Sequence, residues 1–576
     1  MDYKTLYRSW LDNKKLSKEG KQELQSICDD EKAIEYRFGA ELKFGTAGMR
    51  GLIGMGTNMI NVYTVMRATK GLAEYVKSLG ARAMEKGVVI SYDTRRKSEE
   101  FACAAAGVLI KNGIKTYIYE NGRPVPMLSF AVRKLECSAG IMITASHNPK
   151  EYNGYKVYGP DGAQMSPEAT KVVVEHISKI DDYFSVEYVS IKSAKQAGAK
   201  GAVVIGEKFE CDYYKELYKL CLSKDAVKAE GKNIKLVYTP VHGTGYVPVT
   251  TVLKHLGINA TVVEEQTAPD TEFSTVAVPN PEYKETLSMA IALANKIHAD
   301  VVFGTDPDSD RLGVALRNDQ GEFEALTGNQ VGVLLLNYIL TRLKEERLLT
   351  SDCFVVKSFV STNLAKPICD DFGVKLMDVP VGFKFIGEKI KLSEESGIGQ
   401  FLFGFEESCG YLRGTHARDK DAVVASMLFA ELVCYYKYIN VSVFDVLSGI
   451  YKRYGYCVDK TESIAFTGLT AMDEMNKAVA SVAERNLTTI GTCAVAAVRN
   501  YETGERVDEF GAKTKLEFSN LNCLYFELKR GGFVCLRPSG TEPKLKIYYS
   551  VSGDSKDQCL EVISELSEAI SKILKG

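Results

Sequence analysis

A chain of 576 residues with 72 basic and 74 acidic side chains carries a formal charge of −2, and its 25% charged and 45% hydrophobic content is that of ordinary globular proteins. Length alone suggests about four domains and excludes one small core, while the balanced charge excludes nucleic acid or an anionic membrane as a partner held by global attraction but leaves room for local basic clusters around an anionic ligand. The 14 cysteines are too sparse for a disulfide scaffold and include no C-x-x-C pair, so reduced structural thiols are expected.

The amino terminus is charged throughout, and no apolar run reaches the length of a membrane span, which predicts a cytoplasmic protein. Residues 1 to 40 alternate charged and apolar positions with a helical period, offering Leu11, Leu16 and Leu24 for packing ahead of the Gly-rich FGTAGMRG segment. From Gly87 the text reads as a strand (VVISYD), a helix from Ser98 to Lys111, an Asn-Gly stop and a strand (KTYIYENG). The pattern recurs twice. KLVYTP leads through HGTGY into a helix ending at His255 and then NATVVEE, and CFVVKS leads into a helix, Gly373 and VKLMDV. Three such segments predict three α/β domains with largely parallel central sheets. The carboxyl end differs: LNCLYFELKRGGFVCLRPSG and KLKIYYSVSG alternate like a hairpin before a helix from Ser555, which is α+β character. The expected domains are 1–206, 207–325, 326–455 and 456–576, with linkers near Lys195–Gly206 and Tyr451–Thr461.

Four segments carry chemistry. In TASHNPKEYNGYKVYG, residues 144–159, Ser146 is set among Asn, Gly and Pro beside His147, Lys150 and Lys156; a hydroxyl there can accept and return a phosphoryl group if cations neutralise it, and the alternative is an Asn-Gly turn with a capping Ser. In VVFGTDPDSDRLGVAL, residues 301–316, Asp306, Asp308 and Asp310 follow an apolar strand on one face. Three repelling carboxylates suit a hard cation such as Mg²⁺, with a solvated acidic turn as the alternative. An EF-hand is excluded, because its sixth and twelfth positions would be Arg311 and Arg317. Arg311 is placed to pair with an acid or a phosphate. In GFEESCGYLRGTHARDKDA, residues 404–422, Glu406, Glu407 and Ser408 match sugar hydroxyls, and Lys420 or His416 is a candidate proton shuttle; an exposed charged turn is the other reading. In RPSGTEPKLK, residues 537–546, Arg537, Ser539, Thr541 and Lys544 surround Gly540 as a dianion clamp would, or form a Pro-Ser-Gly turn with incidental charges.

Taken together and in this order, the four segments closely resemble those of the α-D-phosphohexomutase superfamily, with FGTAGMRG, TPVHGTG and VGFKFIG as further points of agreement, so that the resemblance covers nearly the whole chain. It implies four domains around a central cleft: three α/β domains with similar mixed sheets and a smaller C-terminal α+β domain. It implies that Ser146 is phosphorylated and that Asp306, Asp308 and Asp310, with the Ser146 phosphate, bind one Mg²⁺. Arg50, His147 and Lys156 would support the phosphoserine, with Arg311 beside the metal loop. Lys420 would be a general acid or base, and Arg418 a neighbouring substrate contact. Glu406 and Ser408 would read sugar hydroxyls, and Gly382, Phe383 and Lys384 the two sugar orientations. Arg537, Ser539, Gly540, Thr541 and Lys544 would hold the non-reacting phosphate. The implied reaction is a two-step phosphoryl shuttle interconverting glucose 1-phosphate and glucose 6-phosphate through glucose 1,6-bisphosphate, which also serves as primer. Pentose phosphates, bisphosphate synthesis and a non-catalytic phosphoprotein are the alternatives. The expected partners are small sugar phosphates, with no nucleic acid and no membrane, and the expected state is a monomer or weak dimer. Ser309 and Cys409 depart from the usual pattern without removing a ligand.

Overall fold

Three short helices open the chain, each started by a side chain that satisfies free backbone N–H groups. Asp2 caps Tyr3–Leu11, Ser17 caps Lys18–Gln25 and Asp30 caps Glu31–Phe38. In this computed structural model, which describes residues 2–45, 48–318, 320–466, 470–539 and 544–575, the arm closes on Trp10, the sole Trp, which packs against Phe38, Tyr63, Tyr183 and Phe184 with ring centroids 5.0 to 5.7 Å apart. Leu16 and Leu24 are buried there as the periodicity predicts. Removing the buried Leu24 side chain in Leu24→Ala is expected to cost about 2–5 kcal/mol; denaturant unfolding followed by Trp10 fluorescence checks this, and an unshifted midpoint would refute it.

The chain divides into two compact units, residues 1–328 with 383–440, and residues 329–382 with 441–576. The first unit holds a six-stranded sheet in the order Gly48–Leu52, Tyr152–Tyr158, Ala139–Ile143, Val88–Tyr92, Thr116–Tyr119, Val203–Ile205. The last four are parallel and the first two antiparallel. Val88–Tyr92 and Ala139–Ile143 are buried at every position, as expected of strands covered on both faces, which is why they read as unbroken apolar runs. A second sheet runs Phe323–Ala325, Leu312–Arg317, Val301–Thr305, Leu236–Thr239, Thr261–Val262, again parallel in the middle with an antiparallel edge. The unit also contains the antiparallel pair Gln400–Glu406 and Gly410–Leu412.

In the second unit Cys353–Ser358 pairs in parallel with Lys375–Val379. Its larger sheet is antiparallel throughout and includes Tyr456–Ala465, Lys544–Gly553, Gly532–Pro538, Leu524–Leu528 and Cys493–Asn500 in that order. Helices Ala471–Glu484 and Lys556–Lys575 cover one face of it. The architecture is therefore mixed α/β with a C-terminal antiparallel sheet. Among the described residues no single helix is long and apolar enough to cross a membrane.

Two expectations change. The sheets are mixed, as the resemblance implies, and not largely parallel as the strand–helix–strand pattern suggests, because each motif-bearing loop returns as an antiparallel strand. The expected linkers are ordered: Val203–Ile205 adds an edge strand next to Thr116–Tyr119, and Tyr456–Ala465 is a ten-residue strand. A three-residue strand is too short to show a period, and a half-exposed edge strand reads as polar.

Candidate active site

Three of the predicted motifs lie in turns between antiparallel neighbours, Ala139–Ile143 to Tyr152–Tyr158, Val301–Thr305 to Leu312–Arg317, and Gln400–Glu406 to Gly410–Leu412, and the flanks of the fourth belong to the antiparallel pair Gly532–Pro538 and Lys544–Gly553. The first two leave the carboxyl ends of central strands, where open α/β sheets present ligands.

Ser146 adopts a left-handed backbone conformation, φ 52°, and is 7% exposed. Thr144 Oγ1 accepts from its N–H at 2.8 Å, and its own hydroxyl donates to Asp306 Oδ2 at 2.9 Å, with His147 Nδ1 3.2 Å away. Gly154 makes the tight return possible, because a Cβ there would stand 2.4 Å from the Thr144 carbonyl oxygen. Directly opposite it on the edge strand is Arg50, whose Nη1 donates to Asn148 Oδ1 at 2.9 Å. Lys156, on the return strand, donates to Asp308 Oδ2 at 3.0 Å.

Asp306, Asp308 and Asp310 are buried, with carboxylate oxygens within 4.8 Å of one another. The backbone N–H groups of Asp310 and Arg311 donate to Asp306 Oδ1 at 3.1 and 3.0 Å. The TPVHGTG segment cradles the loop: the Thr244 hydroxyl donates to the Pro307 carbonyl at 2.9 Å, and a Cβ on Gly243 would meet Pro307 Cα at 2.6 Å. Burial, then Asp308 and Asp310, push the Asp306 carboxyl well above its ordinary range. Burial acts on Asp308 in the same direction, but Lys156, the hydrogen bond with Asp306 and Lys420 outweigh it and hold its pKa low. Burial and Asp308 raise Asp310. Three negative charges are thus too many for this dehydrated pocket on its own. Among the described residues, Asp308 Oδ1 and Asp310 Oδ1 are buried with no hydrogen-bond partner. An all-carboxylate donor set with orphaned oxygens fits a hard divalent cation.

The sugar-type loop is tied to this one, since Arg311 and Gly410 form a β-bridge and Leu312 N–H donates to the Cys409 carbonyl at 3.0 Å. Glu406 is 5% exposed at the end of its strand. Gly410 leaves space for Lys420, whose Cδ a Cβ would meet at 2.2 Å. Lys420 Nζ lies 3.1 Å from Asp310 Oδ2 and 3.0 Å from Asp419 Oδ1, and Tyr158 donates to Asp419 Oδ2 at 2.8 Å. Burial disfavours the Lys420 charge, but Asp310, Asp419 and Glu406 outweigh it and keep it protonated. Arg311 pairs with Glu282 and lies 3.8 Å from Asp310 Oδ1. Phe383 places its ring 5.6 Å from Lys420 Nζ, while burial lowers the pKa of the neighbouring Lys384.

The structure puts two residues to other uses. Arg418, expected beside the substrate, is fully buried; its guanidinium donates to the Thr415 and Ala417 carbonyls at 2.7 and 3.2 Å and pairs with Glu394, staking the loop that presents Lys420. His416 is held by Asp421 Oδ2 at 2.8 Å and packs on Tyr213, so the structure brings His147 and Lys420, but not His416, to the acids and the serine. His242 is bound on both ring nitrogens, to Ala268 and Thr275, a structural arrangement.

In the second unit, Gly382 has φ 124°. Ser539 N–H donates to the Lys544 carbonyl at 2.9 Å; Gly540 and Thr541 lie outside the described residues. Arg537 stands directly opposite Lys546. Two cations facing each other across a sheet repel, and an anion between them removes the penalty. Sequence reasoning passed over Lys546 although the alternation in KLK places it with Lys544. It also passed over Arg95, whose signal was a basic pair two residues beyond a central strand.

Comparison with known proteins places the chain in a family. Residues 41–184, 212–321 and 327–454 match, in order, the family models for phosphoglucomutase/phosphomannomutase alpha/beta/alpha domains I, II and III. A protein of Staphylococcus epidermidis named phosphoglucomutase is 37% identical over 529 residues, spanning 91% of this chain and 93% of the relative. One of the same name from Staphylococcus haemolyticus is 36% identical over 526 residues, spanning 91% and 93%. The crystal structure of the exocytosis-sensitive phosphoprotein (phosphoglucomutase) of Paramecium, in its open form, shares the fold with a TM-score of 0.66 at 16% identity, covering 93% of this chain and 95% of that one. With three successive domain models matched and such relatives aligned nearly end to end, the chain belongs to the phosphoglucomutase/phosphomannomutase family of the α-D-phosphohexomutase superfamily.

Proposed function

We infer that the chain is a phosphoglucomutase, an enzyme that interconverts glucose 1-phosphate and glucose 6-phosphate through a phosphoserine and a glucose 1,6-bisphosphate intermediate. The observation that carries this reading is a serine hydroxyl 2.9 Å from one of three buried carboxylates that are flanked by two lysines. Relatives of the same name at 36 to 37% identity across nine-tenths of the chain support it.

Asp306, Asp308 and Asp310, with the phosphate carried on Ser146, would hold one Mg²⁺. The ion would supply charge neutralisation for the phosphoryl group. Phosphoryl transfer calls chiefly for positioning and electrostatics, and the chain's own groups have those duties. The P–O bond to Ser146 breaks as the free sugar hydroxyl forms a new one; that hydroxyl's proton passes to a nearby side chain, for which His147 is the candidate, while Lys420, held protonated by Asp310, Asp419 and Glu406, is the candidate general acid for the freed serine oxygen. In the second step the other phosphate of the bisphosphate returns to Ser146. Arg50 and Lys156 steady the loop and the acids, and Arg311 backs the metal loop. Glu406 and Ser408 take sugar hydroxyls, with Gly382, Phe383 and Lys384 reading the two orientations. Arg537, Ser539, Gly540, Thr541 and Lys544 hold the phosphate that is not reacting. Arg418 shapes the Lys420 loop. The bisphosphate also acts as primer, and the enzyme works in the cytoplasm as a monomer or weak dimer.

Intact-mass measurement of phosphate on Ser146, together with coupled assays on glucose, mannose and ribose 1-phosphates, tests the reading. No turnover with Mg²⁺ and bisphosphate primer would sink it, and faster turnover of ribose 1-phosphate would transfer it to pentoses. Arg537→Ala is expected to raise KM by about 10- to 100-fold, the worth of one charge-assisted hydrogen bond. An unchanged KM would remove Arg537 from the clamp.

A further inference from the structure

The Arg95 side chain is wholly buried behind the Ser146 loop. Its Nη1 donates to the carbonyls of Pro149 at 2.9 Å and Tyr152 at 3.3 Å, and its Nη2 to those of Ser146 and Asn148. Four carbonyls of the segment 146–152 therefore converge on one guanidinium. The cation is itself held in place. Its Nε lies 3.4 Å from Asp93 Oδ2, and its backbone N–H donates to Asp93 Oδ1 at 3.0 Å. Asp93 is fixed in turn by the Ser98 hydroxyl at 2.6 Å. The ring of Phe273, 2% exposed, lies with its centroid 5.1 Å from the guanidinium carbon.

We propose that Arg95 is a positioning residue for phosphoryl transfer: the loop is wrapped around it so that Ser146 is presented to the acid cluster in one conformation, whether or not it carries phosphate. With its carbonyl held by Arg95 and its N–H by Thr144 Oγ1, Ser146 is fixed on both sides of its Cα, and its hydroxyl is delivered to Asp306. A left-handed φ of 52° on a non-glycine residue persists only where the surroundings over-determine it. The planar fork of Arg spans several acceptors at once, whereas the compact ammonium of Lys does not. Arg95 reaches only backbone oxygens of the loop, so its effect falls on the transfer step and not on the grip on the sugar.

The kinetic consequence rests on the phosphoglucomutase reading, while the structural one stands without it. In the full chain, Arg95→Lys is expected to lower kcat by about 100-fold, the scale of a small misplacement of a reacting group, with KM for glucose 1-phosphate within about threefold of the parent. Amide hydrogen exchange over residues 144–153 is expected to quicken by about tenfold while the remainder of the chain keeps its protection. A kcat within about twofold of the parent, or kcat and KM altered together, overturns the proposal. Trp10 fluorescence reports whether the variant folds. If it does not, Phe273→Leu, which keeps every hydrogen bond and removes the ring, decides: reduced kcat at unchanged KM supports the proposal, and unchanged kcat overturns it. If the parent chain itself shows no mutase activity, the functional reading fails and exchange alone decides: faster exchange confined to 144–153 sustains the positioning role, and unaltered exchange overturns it.

Discussion

Ser146→Ala is expected to lower kcat by about 10⁴-fold or more, the scale seen when a catalytic nucleophile is removed. Among the described residues, neither hydroxyl beside it can substitute. Thr144 Oγ1 accepts from the Ser146 N–H, and the Ser309 hydroxyl lies 3.3 Å from the Asp306 carbonyl oxygen and 3.4 Å from Thr244 Oγ1. The variant loses two hydrogen bonds, to Asp306 and His147, each worth about 1 kcal/mol, so the loss is chemical and the fold survives. The coupled assay for glucose 6-phosphate measures the rate, and intact mass confirms that no phosphate is carried. A variant retaining full activity would end the phosphoserine mechanism.

The second large effect is at Asp308. Asp308→Asn is expected to lower kcat by about 10²- to 10³-fold, comparable to the loss of one preorganised electrostatic group, and to weaken Mg²⁺ binding. The substitution removes a carboxylate that carries one orphaned oxygen and also pairs with Lys156 at 3.0 Å. An amide in its place turns a nitrogen donor toward the lysine or the cation, and either choice leaves a buried charge unpaired. Titration with Mg²⁺ in a calorimeter, with kcat measured at saturating metal, separates lost affinity from lost rate. Unchanged metal dependence would mean that the acids are not the ligands.

The predicted strands VVISYD, KLVYTP and CFVVKS are all strands in the structure, because a strand buried on both faces leaves a mostly apolar run ahead of a helical period. The antiparallel returns were less visible. Tyr152–Tyr158 contains Asn153, Gly154 and Lys156, and those site residues disguised it as loop. The side chains whose chemistry follows from type and spacing, Ser146 and the three aspartates, could be picked out one by one. Arg95 could not, since its partners are backbone carbonyls, which every residue possesses. Arg418 misled for the complementary reason: a charged side chain in a site-like motif is bound to Glu394 on an earlier helix, and nothing local announces that partner.

By itself the sequence determined the element types, the order of the four motifs, the chemistry each motif offers and the superfamily they resemble, because these depend on local periodicity and side-chain type. Only the tertiary structure decided which groups meet. Ser146 reaches Asp306 across 160 residues and Lys156 reaches Asp308 across 152, and Lys420 closes on Asp310 from a third loop. Those meetings follow from strand order and from the tight returns at Gly154 and Gly410. The buried guanidinium behind the serine belongs with them, because the course of the backbone, and not the identity of the side chains, sets what it touches.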